Sequence, residues 1–115
     1  MWVFTETGFV SAVQHYKNPD ALCVRARDGE SLSPLAKITG KVIEHSPERD
    51  YPYRLEGVSK SDFILLLMQS IDVLEYTNFK NQVHATRGTE YASALGKVWS
   101  AMHDVEDFEA RRYIQ

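Results

Sequence analysis

The order of two hydrophobic periods predicts an α+β fold: an antiparallel sheet of about four to five strands with helices packed on one face. From residue 1 to about 58, apolar residues come in short alternating runs separated by Gly, Pro, Asn and Asp. From Ser59 onward they recur at helical spacing. The third observation is length: 115 residues suffice for one core without disulfides or metal, which predicts a single domain over 1–115.

The strands are read from alternation and turn chemistry. Trp2 to Thr5 and Phe9 to Tyr16 flank Glu6-Thr7-Gly8, a hairpin whose three-residue loop places Gly8 where positive φ is needed. Lys17-Asn18-Pro19-Asp20 is a turn. Ala21 to Arg27 is the next strand, with Leu22, Val24 and Ala26 inward and Cys23, Arg25 and Arg27 outward. Ser33 as N-cap, Pro34 at the first helical position and Gly40 as stop mark one short helix anchored by Leu35 and Ile38. Val42 to His45 is a short strand. Tyr51, Tyr53 and Leu55 alternate through another, placed at a sheet edge because Pro52 cannot donate to a ladder.

Two long helices complete the chain. Ser59-Lys-Ser-Asp62 is a capping box. It opens a helix whose stripe of Phe63, Leu66, Leu67, Ile71 and Leu74 is widened by Ile64, Leu65 and Met68, so the helix is expected to be largely buried. Asn78 caps a short turn carrying Phe79 and Val83. From about Glu90 to Arg112, Tyr91, Leu95, Val98, Met102 and Val105 are spaced four, three, four and three apart, flanked by Trp99 and Phe108. These two long helices are expected to supply most of the core. Gly96 in the last one implies close approach to a neighbouring element.

Composition excludes several functions. Hydrophobic content is 43% and charged content 25%, ordinary for a globular protein. Net charge is −3. Residues 1–60 carry eight basic and eight acidic side chains, and residues 61–115 carry five and eight, so the deficit lies in the helical half. No basic stripe exists, which ranks nucleic acid last among partners. The longest apolar run, Phe63 to Met68, is far short of the ~20 residues of a membrane span. MWVFTETGF lacks the positive and apolar regions of a signal peptide. A single cysteine, Cys23, agrees with a reducing compartment. A cytoplasmic protein without membrane association is expected.

No arrangement of residues predicts catalysis. His15, His45, His84 and His103 fall at no metal-ligand spacing, and His103 with Asp107 is a helix-surface pair. No phosphate loop, nucleophile elbow or CxxC pair occurs, so neither metal nor cofactor is expected. Cys23 is read as structural. Arg25 and Arg27 share a strand face with Arg54 nearby, a candidate anion site. Cross-strand pairs to Glu44 or Glu56 are the competing reading. Tyr51, Tyr53, Trp99, Asp104 and Asp107 are candidate interface residues, because Tyr and Trp favour hot spots and the last helix carries an acidic run.

The segments FTETGFVSAVQH and ALCVRAR, with YTNFKNQV and VWSAM further on, resemble small uncharacterised proteins of actinobacteria and their bacteriophages. The resemblance implies a small intracellular accessory protein and carries no chemistry to any position. Sequence and resemblance together lead to the expectation of a non-enzymatic protein-interaction module, phage- or prophage-associated, that binds a protein partner or itself. The alternative is a small-ligand or anion-binding domain, or a cryptic enzyme, using Arg25, Arg27 and His15 or His45.

Overall fold

The fold is α+β, a five-stranded antiparallel sheet with helices, as a computed structural model describes it for residues 1–112. Its contacts gather into two compact units, residues 1–75 and the chain from Tyr76 onward.

In the first unit, strands β1 (Trp2–Thr5), β2 (Gly8–Gln14), β3 (Ala21–Ala26), β4 (Glu44–His45) and β5 (Tyr53–Ser59) pair in the order β1-β2-β3-β5-β4. The first hairpin is tighter than expected. Thr5 pairs directly with Gly8, leaving Glu6-Thr7 as a two-residue loop. Gly8 (φ 144°) is therefore the first residue of β2. Pro52 does not place β5 at an edge. It precedes the strand, so the ladder begins one residue later, and β5 sits between β3 and β4.

One irregularity decides which β5 side chains reach the core. Leu22 pairs with Val58, whereas Val24 pairs with Leu55. Three steps along β5 thus match two along β3, a bulge absorbed at Gly57 in the left-handed region (φ 69°). Strict alternation would turn Leu55 and Val58 to opposite faces. The extra residue lets both point inward, and both are fully buried.

The helices follow from their caps. A 3₁₀ turn, Glu30–Leu32, leads into α1 (Ser33–Thr39), whose C-cap Gly40 is left-handed at φ 70°. Ser33 lies inside this helix, and Leu32 occupies the cap position. Ser59 caps α2 (Lys60–Asp72), its hydroxyl accepting from the Asp62 amide at 3.1 Å. The core joins Val10, Ala12, Val24, Ala26, Leu55 and Val58 of the sheet to Leu32, Leu35, Phe63 and Leu66.

The second unit contains α3 (Phe79–Arg87), capped by the Asn78 side chain on the Asn81 amide at 3.1 Å, and α4 (Thr89–Arg112). Val83 and Ala92 are its buried contacts.

The expected source of the core requires correction. Of the α2 stripe, Phe63 and Leu66 are buried and Leu67 packs beside them, but Ile71 is 71% exposed. Ile64, Leu65, Met68 and Leu74 are exposed as well. Of the α4 stripe, Val98, Met102 and Val105 are exposed, as are Trp99 and Phe108. The sheet and the short α1 segment supply most of the core instead. In this unit Leu32 and Leu35 are fully buried in the core cluster with the sheet.

Candidate functional site

Two surfaces of different character stand out. The first is the sheet face opposite the core. β2 and β3 turn Ser11, Val13, Cys23 and Arg25 to this face, with Ser11 opposite Arg25 and Val13 opposite Cys23. β5 brings Arg54 opposite Arg25. The structure therefore gathers all three arginines of the candidate anion site, but it engages each one.

The guanidinium of Arg25 lies 4.5 Å from the Tyr51 ring centre and 3.4 Å from the Ser11 hydroxyl. Arg27 stacks on the same ring at 4.2 Å and pairs with the Asp50 carboxylate at 2.9 Å. Asp50 pushes the Arg27 guanidinium further toward its charged form. Arg54 donates to the Tyr51 carbonyl at 3.2 Å. Tyr51 is thus a buried hub (5% exposed) of cation–π contacts. The aromatics Phe9, Phe4 and Trp2 extend from it across β2 and β1. Neither competing acid, Glu44 nor Glu56, supplies the partner of Arg27. The residue that does so, Asp50, lies in the loop before β5.

Beside this hub lies a cluster around Cys23. The β5 bulge sets Glu56 across from Cys23, and His15 approaches the Glu56 carboxylate at 3.3 Å. The His15 Nδ1 accepts the amides of Lys17 and Asn18, both at 3.2 Å, so Nε2 faces Glu56. Burial pushes the Cys23 thiol up, and the Glu56 charge adds to the rise. Arg54, 3.9 Å from the sulfur, offsets only part of it. A thiol held protonated is a poor nucleophile. His45 takes no part, because it stacks on Tyr53 at 4.2 Å in the β4–β5 pair. Alternation already sets Glu56 on the same face of β5 as Arg54, opposite to that of Leu55, and the pairing of Arg54 with Arg25 agrees with it.

The second surface is helical and apolar. On α2, Ile64, Leu65, Met68 and Ile71 are exposed. On α4, Val98, Trp99, Met102, Val105 and Phe108 are exposed. The cause on α4 is one of length. With nine residues α3 spans about 13 Å, whereas the 24 residues of α4 span about 36 Å. α3 can cover only the first half of α4. Where they meet, a half-open groove of about 770 Å³ runs between Phe79, Val83, Leu95, Gly96 and Trp99, with Lys80 and Lys97 on its rim. Gly96 meets no close neighbour: a Cβ built there has nothing within 4 Å.

The candidate interface residues divide between these surfaces. Tyr51 is buried in the arginine hub, and Tyr53 is half-buried against His45. Trp99 (68% exposed), Asp104 and Asp107 lie on the free part of α4. His103 pairs with Glu106 at 2.6 Å, not with Asp107, and its ring meets Trp99 edge-on at 4.4 Å.

Among the described residues, no group of three or more His, Cys, Asp or Glu is placed to hold a metal. No helix among them is long and apolar enough to cross a membrane. Compared with protein-family models, with curated proteins and with solved structures, the chain matches none of them.

Proposed function

We propose that this chain is a non-enzymatic protein-interaction module, working in the cytoplasm as an accessory protein of phage or prophage origin. The origin rests on the resemblance of its strand and helix segments. The interaction role rests on one observation: α2 and α4 each present a row of exposed, large apolar side chains. Scattered apolar residues are normal on a surface, but contiguous rows of this kind mark contact surfaces. Burying one such side chain is worth about 1.5–3 kcal/mol. A partner's apolar face would recover that energy, which the folded chain leaves unused.

The anion-binding or cryptic-enzyme alternative has less support. Each arginine of the sheet face already has a carboxylate, hydroxyl, carbonyl or ring to hold it. Cys23 is protonated and buried. A thermal-shift series with inorganic phosphate and nucleotides, on wild type and Arg25→Ala, tests that alternative. Stabilisation lost in the variant would favour it.

The interaction reading is tested by affinity capture with wild type beside Met68→Glu, and by light scattering. A protein retained by wild type and released by Met68→Glu supports the reading. A monomer whose captured proteins are the same for wild type and for charge substitutions on both helices overturns it.

A further inference from the structure

The groove between α3 and α4 has two unlike walls. Gly88 alone joins the helices, and the groove sets the first residues of α3 beside residues 95–100 of α4, so the two run in opposite directions. Val83 and Ala92, both buried where the helices meet, form its floor. Positions on a helix advance by about 100° per residue. Counted from that floor, Phe79, Leu95 and Trp99 turn to one side, whereas Lys80, Lys97 and Ser100 turn to the other. Because the helices are antiparallel, equal turns on each lead to the same side of the pair. One wall is therefore apolar and aromatic, and the other is cationic and hydroxylic.

We infer that this groove binds a small amphipathic anion: a single alkyl chain that carries a carboxylate or phosphate head. The tail lies along Leu95 and Trp99, and the head faces Lys80 and Lys97. The site needs no partner protein and goes beyond the interaction reading.

Charge supports the head. No acidic residue lines the groove. Among the described residues, neither Lys80 nor Lys97 pairs with a carboxylate. The chain around them is acidic, since residues 61–115 carry five basic and eight acidic side chains. Two unpaired ammonium groups on one wall are a local exception to that balance, and an anionic head complements them. Size supports the tail. The groove's volume of about 770 Å³ lies within the roughly 300–1,000 Å³ of small-molecule sites. From Ala92 to Ser100 the helix rises about 12 Å, the reach of an extended chain of about ten carbons. Gly96 keeps the floor open beside Ala92, because a Cβ built there meets nothing within 4 Å.

Trp99 reports occupancy from within the apolar wall. In Trp2→Phe it is the sole tryptophan. The probes are decanoate, decyl phosphate and decyltrimethylammonium, each below its micelle concentration and at one low protein concentration. Both anions are expected to shift Trp99 emission to the blue and to saturate, with the cation weaker by roughly tenfold or more. Non-specific adsorption to a chain of net charge −3 would favour the cation instead. The tighter of the two anions identifies the head. Gly96→Leu builds a side chain into the open floor and is expected to abolish saturation with an unchanged circular dichroism spectrum. Lys80→Gln combined with Lys97→Gln is expected to weaken both anions by about tenfold. Equal binding of anions and cation, or no saturable shift with either anion, overturns the inference. Saturation that survives Gly96→Leu, or anion binding unchanged in the lysine double variant, overturns it as well. Capture of a protein by α2, released by Met68→Glu, is a separate result that none of these outcomes alters.

Discussion

Leu66 and Ile71 lie on the same predicted stripe of α2, and the structure assigns them opposite fates. Leu66 is 8% exposed inside the core cluster, whereas Ile71 is 71% exposed. Truncating each to alanine separates the two readings. Leu66→Ala removes three buried carbons, worth about 2.4 kcal/mol at 0.8 kcal/mol per methylene. The cavity left against Phe63 and the sheet raises this toward the 2–5 kcal/mol of a core Leu→Ala change. Ile71→Ala removes carbons that mostly face water. It also replaces a β-branched residue near the helix end, so its cost is at most about 0.5 kcal/mol. Urea unfolding followed by circular dichroism, at concentrations that keep the chain monomeric, measures both. Leu66→Ala should shift the midpoint well below wild type, with Ile71→Ala close to it. Equal losses would show that Ile71 is buried and refute the assignment of this face to the surface.

Three further predictions follow from single sites. Gly96 lies in the interior of α4 with nothing near its Cβ, so Gly96→Ala should stabilise the isolated chain by up to about 1 kcal/mol in thermal unfolding. Unchanged or lower stability would mean that something approaches there. Cys23 has a thiol pKa raised above its ordinary value by burial and by Glu56. The folded state therefore holds the proton more tightly than the unfolded one. Its contribution is fully present below the ordinary thiol pKa and is lost as pH rises through the folded value. Stability measured against pH should fall more steeply in the alkaline range for wild type than for Cys23→Ala, and alkylation of the native thiol at neutral pH should be slow. Trp99 is exposed and Trp2 is the other tryptophan. In Trp2→Phe, emission should shift to the blue as concentration rises, whereas a constant spectrum would place Trp99 outside any contact.

Local chemistry made much of the fold legible. Ser59, Asn78 and Gly40 cap where their side chains or φ angles require, because capping depends on a few neighbouring residues. The inward set of β3, Val24 and Ala26, was readable from alternation. Alternation failed at Gly57, where one inserted residue reverses the inward side, so Val58 joined the core unannounced. It failed for Pro52 because a proline just before a strand looks the same in sequence as one at an edge. The arginine cluster was legible as a shared strand face. Its occupants were not, because Tyr51 and Asp50 reach it from the loop before β5.

The largest misreading has a single cause with a functional consequence. A helical stripe states that one face avoids water, not what covers it. In the first unit, Leu32, Leu35, Phe63 and Leu66 join the sheet in the core, whereas Ile64, Leu65, Met68 and Ile71 of α2 are exposed. In the second unit, the only other described helix is nine residues long and cannot reach beyond the first half of α4. Apolar stripes on α2 and α4 are therefore exposed rather than buried. The same sequence period that misdirects the search for the core therefore leaves the exposed apolar rows on which the proposed interaction rests.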